Sequence, residues 1–165
     1  MPPIVYWQSP RRCVAVMPRP LRPWLLAQGS LTRQLRAHGA GRFRVEPIVE
    51  HFGRPLLHEA RLLGVPAHQY AWIRVVRLHG RDDEAWVLAR SVMPIRALRG
   101  QGRRLRHLGS RSLGSLLFAR HPPRCCRQVA CLSEGWARRS RYDWHGQPLL
   151  VQECFLPMFV ASLER

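Results

Sequence analysis

Two charged residues stand in runs that are otherwise apolar. In Leu149-Leu150-Val151-Gln152-Glu153-Cys154-Phe155-Leu156, strand alternation places Val151, Glu153 and Phe155 on one face. A carboxylate on an inward face is strongly disfavoured unless it is paired, hydrogen-bonded or protonated, so such a residue is either functional or structurally partnered. The alternative is that Leu150, Cys154 and Leu156 turn inward and Glu153 is solvated. Arg74 poses the same question in Trp72-Ile73-Arg74-Val75-Val76-Arg77-Leu78, where it shares a face with Trp72, Val76 and Leu78. A planar guanidinium held inward wants a carboxylate, a charge-assisted contact worth about 1.5–3 kcal/mol net. That carboxylate is either Glu153, which makes the two a structural ion pair, or a ligand's, and periodicity does not choose.

Other groupings carry less. His121, Cys125, Cys126 and Cys131 are metal-ligand types, but the adjacent pair Cys125-Cys126 lacks C-x-x-C spacing and no second pair follows, so no metal is expected. Arg103-Arg104-Leu105-Arg106 and Arg138-Arg139-Ser140-Arg141 read as solvated faces able to steer an anion toward a pocket. Gly100-Gln101-Gly102 is too short for a dinucleotide fingerprint, and no Ser-His-acid arrangement stands out.

The elements that must hold Arg74 and Glu153 are β-rich. Residues 70–79 and 85–93 flank the polar Gly80–Glu84 connection as an antiparallel pair, and a strand begins near Phe43. Three more strands follow at about 125–132, 135–145 and 148–156, with His145-Gly146-Gln147 as the turn joining the last two. Helical spacing recurs in two places. From Trp24-Leu25-Leu26 onward a helix, a turn and a second short helix are expected, with Ser30 capping a helix to about Ala37 that Gly39 stops, and residues 95–118 predict two short helices around a mobile turn. Residues 1–23, with six prolines, are expected to run irregularly over the surface. The whole predicts a single domain over residues 1–165 of the α+β class, an antiparallel sheet with helices on one side.

Composition narrows the function classes. At 165 residues and 46% hydrophobic, the chain supports one core. Its net charge of +17 from 27 basic and 10 acidic side chains suggests nucleic acid, but every basic residue is Arg, and Lys and Asn are both absent. Those two share A-rich codons, so the bias reflects a GC-rich genome more than phosphate contacts, and no nucleic-acid partner is expected. Without Lys there is no Schiff-base chemistry and no P-loop. Five cysteines, no basic-then-apolar leader and no apolar run of 18 residues predict a soluble cytoplasmic protein without stable membrane insertion.

Over residues 24–157 the sequence resembles the bacterial chorismate pyruvate-lyases, which make 4-hydroxybenzoate for ubiquinone synthesis. The segments are WLLAQGSLTRQL (24–35), YAWIRVV (70–76), WVLARSVMP (86–94), LGSRSLGSLLF (108–118) and GWARRSRYDWHGQPLLVQECFLP (135–157), the last being the most specific. The resemblance implies a monomer without cofactor, whose sheet of about six strands is covered by helical flaps, at 24–38 and 95–118, over an internal pocket. It implies that Arg74 binds the aromatic carboxylate, that Glu153 contacts the 4-hydroxyl, and that backbone groups at Leu31 and Leu113 complete the contacts to chorismate and its product. Leu31 stands where a well-known member has Met. The segment 119–134 and the first 23 residues depart from the family pattern. The fold also resembles effector-sensing domains of bacterial regulators, which leaves a non-catalytic aromatic-acid binder as the rival reading.

Overall fold

Alternation of apolar and polar residues resolves into six strands: β1 (Arg44–Gly53), β2 (Ala71–His79), β3 (Ala85–Pro94), β4 (Arg124–Cys131), β5 (Trp136–Trp144) and β6 (Gln147–Phe155). They form one antiparallel sheet in the order β1-β2-β3-β6-β5-β4. The structure, a computed structural model, describes residues 6–119 and 123–164. Six helices accompany the sheet: α1 (Pro10–Cys13), α2 (Arg22–Leu26), α3 (Leu31–His38), α4 (Leu57–Leu63), α5 (Leu113–Leu117) and α6 (Pro157–Ser162). The expected α+β class and the antiparallel sheet of six strands are both present.

Local chemistry explains most boundaries. The Ser30 side chain accepts from the Arg33 amide to start α3, and the helix closes at Gly39, whose N–H donates to the Leu35 carbonyl while the Ala40 N–H donates to that of Ala37. The turn between β5 and β6 has His145 at φ 48° and Gly146 at φ 73°, a two-residue reversal whose positive dihedrals match the twist of the hairpin. The β2–β3 connection closes through a 3-10 turn at Arg81–Asp83. Its tightness rests on Gly80, where a Cβ would stand 2.2 Å from ring carbons of Trp86, itself only 2% exposed. Gly80→Ala is therefore expected to destabilise the protein by about 1–3 kcal/mol, read as a lower urea midpoint with an unchanged m value.

Three sequence expectations need correction. Residues 1–5 of the N-terminal segment lie outside the described residues; 6–23 are not an irregular surface run, since they form α1 and the start of α2 and bury Cys13, Met17 and Leu21. The segment also pairs Gln8 with Val129 in both directions, at 3.0 and 2.9 Å, so it covers an edge strand that would otherwise offer open backbone groups. Residues 95–107 are 3-10 stretches, Ile95–Leu98 and Gly100–His107, so α5 is the one α-helix in the 95–118 region. Arg138 and Arg139, read as solvated, are 1% and 6% exposed.

Two apolar clusters on one face of the sheet define where a ligand can sit. The first gathers Leu21, Leu25, Leu31, Leu35, Trp86, Phe155 and Phe159 around one end of the strands. The second gathers Met93, Leu105, Leu108, Leu113, Leu117 and Leu149 around the other. On the opposite face α4 packs Leu63 with Ala71, Val92 and Leu150. There the Glu59 carboxylate accepts from the Leu56 amide at 2.8 Å and holds Arg90 bidentately at 2.6 and 3.0 Å.

Candidate active site

The cavity lies between the two clusters. Leu31, Val76, Leu78 and Ala89 wall it from the first, and Leu113, Leu117, Tyr142 and Val151 from the second, with Arg74, Ser91 and Glu153 projecting from the sheet floor. The four residues singled out in the sequence, Leu31, Arg74, Leu113 and Glu153, thus meet at one place. α3 and α5 supply the two leucines from above, each helix starting on a serine cap, Ser30 and Ser112. The space left is about 40 Å³, room for roughly three water molecules at about 10–15 Å³ each. A substituted six-membered ring needs more, so entry requires the walls to give.

Strand register sets the separation of the charged groups. Arg74 stands opposite Ser91, which stands opposite Val151; two residues along, Val76 faces Ala89, which faces Glu153. Arg74 and Glu153 are therefore two strands and two residues apart on one face, about 12 Å between their backbones from standard strand spacings. Both line one cavity whose other lining residues are mostly apolar.

They do not pair with each other. Arg74, 1% exposed, donates from Nε to Glu50 Oε1 at 2.8 Å and from Nη2 to the carbonyls of Gly109 and Arg111 at 2.6 and 3.0 Å. Among the described residues none accepts a hydrogen bond from its Nη1. Glu153 instead accepts from Arg138 Nε at 2.6 Å through Oε2, and its side chain is 12% exposed. Each pair is a direct cross-strand neighbour, Glu50 with Arg74 and Glu153 with Arg138. The possibility that Arg74 and Glu153 form one structural ion pair is thus set aside.

Sequence reasoning missed several lining groups. Tyr142 was not singled out, though it stands two positions from Ser140 on the inward face of β5. Burial first, and the Glu153 carboxylate second, push its phenol up, so it remains a hydroxyl at neutral pH. Ser91, Thr32 and Ser112 add hydroxyls to the lining. Ser91 was legible as the cross-strand partner of Arg74; Thr32 and Ser112 needed the tertiary packing of α3 and α5.

The cysteines lie away from the cavity. Among the described residues no cluster of His, Cys, Asp and Glu is placed to hold a metal, and His121 lies outside those residues. Cys125, Cys126 and Cys131 are exposed on β4, Cys13 and Cys154 are buried, and all five are free thiols. Burial pushes the Cys154 thiol up to about 11, so at pH 8 it is almost wholly protonated and unreactive. Iodoacetamide at pH 8 is expected to modify the three exposed cysteines rapidly and Cys13 and Cys154 slowly, as read by mass spectrometry of timed quenches.

Solved structures share this architecture of a single antiparallel sheet with accompanying helices. The chain aligns with a GntR-family transcriptional regulator from Bacillus cereus at TM-score 0.50 and 11% identity, over 71% of this chain and 93% of that one. It aligns with YydK of Bacillus subtilis at TM-score 0.53 and 9% identity, over 72% and 60%. At such identities the likeness is one of fold alone.

Sequence relatives go further. The chorismate lyase family profile matches residues 1–163. "Probable chorismate pyruvate-lyase" of Acinetobacter baumannii is 45% identical over 87% of this chain and 85% of its own length. The Pseudomonas aeruginosa protein of that name is 42% identical over 95% and 94%. The chain belongs to the chorismate lyase family.

Proposed function

We propose that the protein is a chorismate pyruvate-lyase, releasing 4-hydroxybenzoate and pyruvate. The observation that carries this reading is a guanidinium and a carboxylate two strands apart on the floor of one largely apolar cavity, in a chain of this family. Chorismate carries its ring carboxylate and its hydroxyl at para positions, and that spacing suits the gap between Arg74 and Glu153. Arg74 takes the ring carboxylate through Nη1 while Glu50 and two carbonyls hold the rest of the fork in place. Glu153 accepts from the C4 hydroxyl with the oxygen that Arg138 leaves free. Leu31 and Leu113 close the roof.

Orientation is most of what this reaction needs, because loss of pyruvate makes the ring aromatic. In the step we favour, the bond from C3 to the ether oxygen breaks and the C4 hydrogen passes to the enolpyruvyl methylene through a six-membered transition state. The methylene becomes the pyruvate methyl, the ether oxygen becomes its ketone, and the ring electrons close to 4-hydroxybenzoate. No other reactant enters the balance. The apolar walls press the enolpyruvyl group against the ring and exclude water.

Chorismate deuterated at C4 tests both layers. Purified protein is expected to form 4-hydroxybenzoate, followed by absorbance, with deuterium in the pyruvate methyl group by mass spectrometry. Product without label there would reassign Glu153 as a general base. A protein that binds 4-hydroxybenzoate yet leaves chorismate intact would be an effector-sensing domain, and the lyase reading would fall. We further place the activity at the entry to ubiquinone synthesis, in a cytoplasmic monomer acting without cofactor. Among the described residues no helix is long and apolar enough to cross a membrane.

A further inference from the structure

Arg138, like Arg74, is a heavily engaged guanidinium on the cavity side of the sheet. It is 1% exposed, donates from Nε to Glu153 Oε2 at 2.6 Å, and donates from Nη1 to the carbonyls of Trp24 and Ala27 at 2.7 and 3.2 Å. Those carbonyls belong to the last turn and C-cap of α2, where helix geometry leaves backbone oxygens without intrahelical donors. Two residues beyond Ala27 is Gly29, which lines the cavity, and two beyond that is Leu31 in its roof. Arg127 also donates to the Ala27 carbonyl and, at 3.1 Å, from Nε to Ser140 Oγ. One rigid, planar group thus touches the carboxylate facing the ligand and the peptide segment covering it.

We propose that Arg138 is a positioning residue that couples the orientation of Glu153 to closure of residues 24–31 over the cavity. This rests on the lyase reading above. A hydroxyl engaged by Glu153 fixes the carboxylate, the carboxylate fixes the guanidinium, and the guanidinium holds the Trp24 and Ala27 carbonyls. The linkage runs both ways, since a ligand that favours the closed segment is in turn bound more tightly by it. Opening the segment for the ring to enter or leave frees Arg138 from two of its acceptors and loosens Glu153. Arg127 is confined to the segment, because it touches Ala27 and not Glu153.

Steady-state kinetics with chorismate and hydrogen exchange at residues 24–31, with and without 4-hydroxybenzoate, test this in wild type, Arg138→Gln, Arg138→Lys and Arg127→Gln. In wild type, product is expected to slow exchange at 24–31. Arg138→Gln is expected to lose about 100-fold in kcat with less than about tenfold change in KM, the size of effect that a misplaced reacting group produces. It should also lose the product-dependent protection. Arg138→Lys keeps a positive charge beside Glu153 and should recover part of kcat, but a single ammonium cannot span a carboxylate and two carbonyls, so protection stays lost. Arg127→Gln should raise exchange at 24–31 while kcat falls less than in Arg138→Gln. A folded Arg138→Gln that keeps wild-type kcat, or wild-type protection, overturns the proposal. If neither Arg138 variant folds, the wild-type comparison decides, because product binding without added protection at 24–31 also overturns it. A wild type that makes no 4-hydroxybenzoate defeats the underlying reading instead, and that is seen before any variant is compared.

Discussion

Arg74→Ala is expected to lower kcat/KM for chorismate by about 10³-fold or more, equivalent to roughly 4 kcal/mol of lost transition-state binding. Four contacts fail together: the Nη1 donor is gone, the Gly109 and Arg111 carbonyls lose theirs, and Glu50 loses its partner. The Glu50 side chain is 29% exposed and can recover water, so the loss of stability should be smaller than for a fully buried orphan charge. The kinetic loss should therefore exceed the stability loss, which a thermal melt of the same preparation checks. Arg74→Lys keeps the charge without the fork and should fall between the two. An alanine variant with wild-type KM and kcat would remove Arg74 from the site.

Glu153→Ala is the second large effect, and its cost falls on folding as well as turnover. Arg138 is left with only the Trp24 and Ala27 carbonyls, a buried cation without its carboxylate, which costs about 3–5 kcal/mol where one partner of a buried pair is removed. Activity should drop by about 10³-fold, in line with a lost preorganised polar contact. Glu153→Gln separates the roles. Its amide oxygen still accepts from Arg138, and the side chain still offers a polar group to the C4 hydroxyl. Under direct hydrogen transfer it should retain about 1–10% of turnover, whereas a general base would not survive the exchange. The readouts are initial rates and urea midpoints for the two variants side by side.

The strands were legible because their alternation is strong. The β2–β3 and β5–β6 hairpins fall within a residue or two of where polar connections interrupt β-prone runs. Arg74 and Glu153 were legible for the same reason, as charges on apolar faces. Their partners were not, since pairing with Glu50 and Arg138 depends on which strands lie side by side, and a run such as Arg138-Arg139-Ser140-Arg141 looks solvated until both neighbours of β5 are known. α4 and α6 were not anticipated: seven and six residues long, they carry too few turns for a helical period to show. The prolines at 1–23 pointed to irregularity, yet Pro10 and Pro23 sit in the first turns of α1 and α2, where a missing N–H is harmless. Roof residues such as Thr32 and Ser112 are fixed by how α3 and α5 dock, which no local pattern records.

The strand order has a consequence for how the protein acquires its activity. β1-β2-β3 and β6-β5-β4 are two meanders, built on the β2–β3, β4–β5 and β5–β6 hairpins with α4 inserted between β1 and β2, and they meet along the single β3–β6 seam. The guanidinium floor residue belongs to the first meander and the carboxylate to the second, so both halves of the chain are needed to complete the cavity floor. Pairing Val87–Val92 with Leu150–Phe155 spans some sixty residues of intervening chain and is the slow, long-range step expected of such a topology. A polypeptide emerging from the ribosome can complete its first three strands and still be incompetent until β6 has been made. Competence thus appears in one step, at the closing of the seam, and fragments split between β3 and β4 should regain it only when mixed.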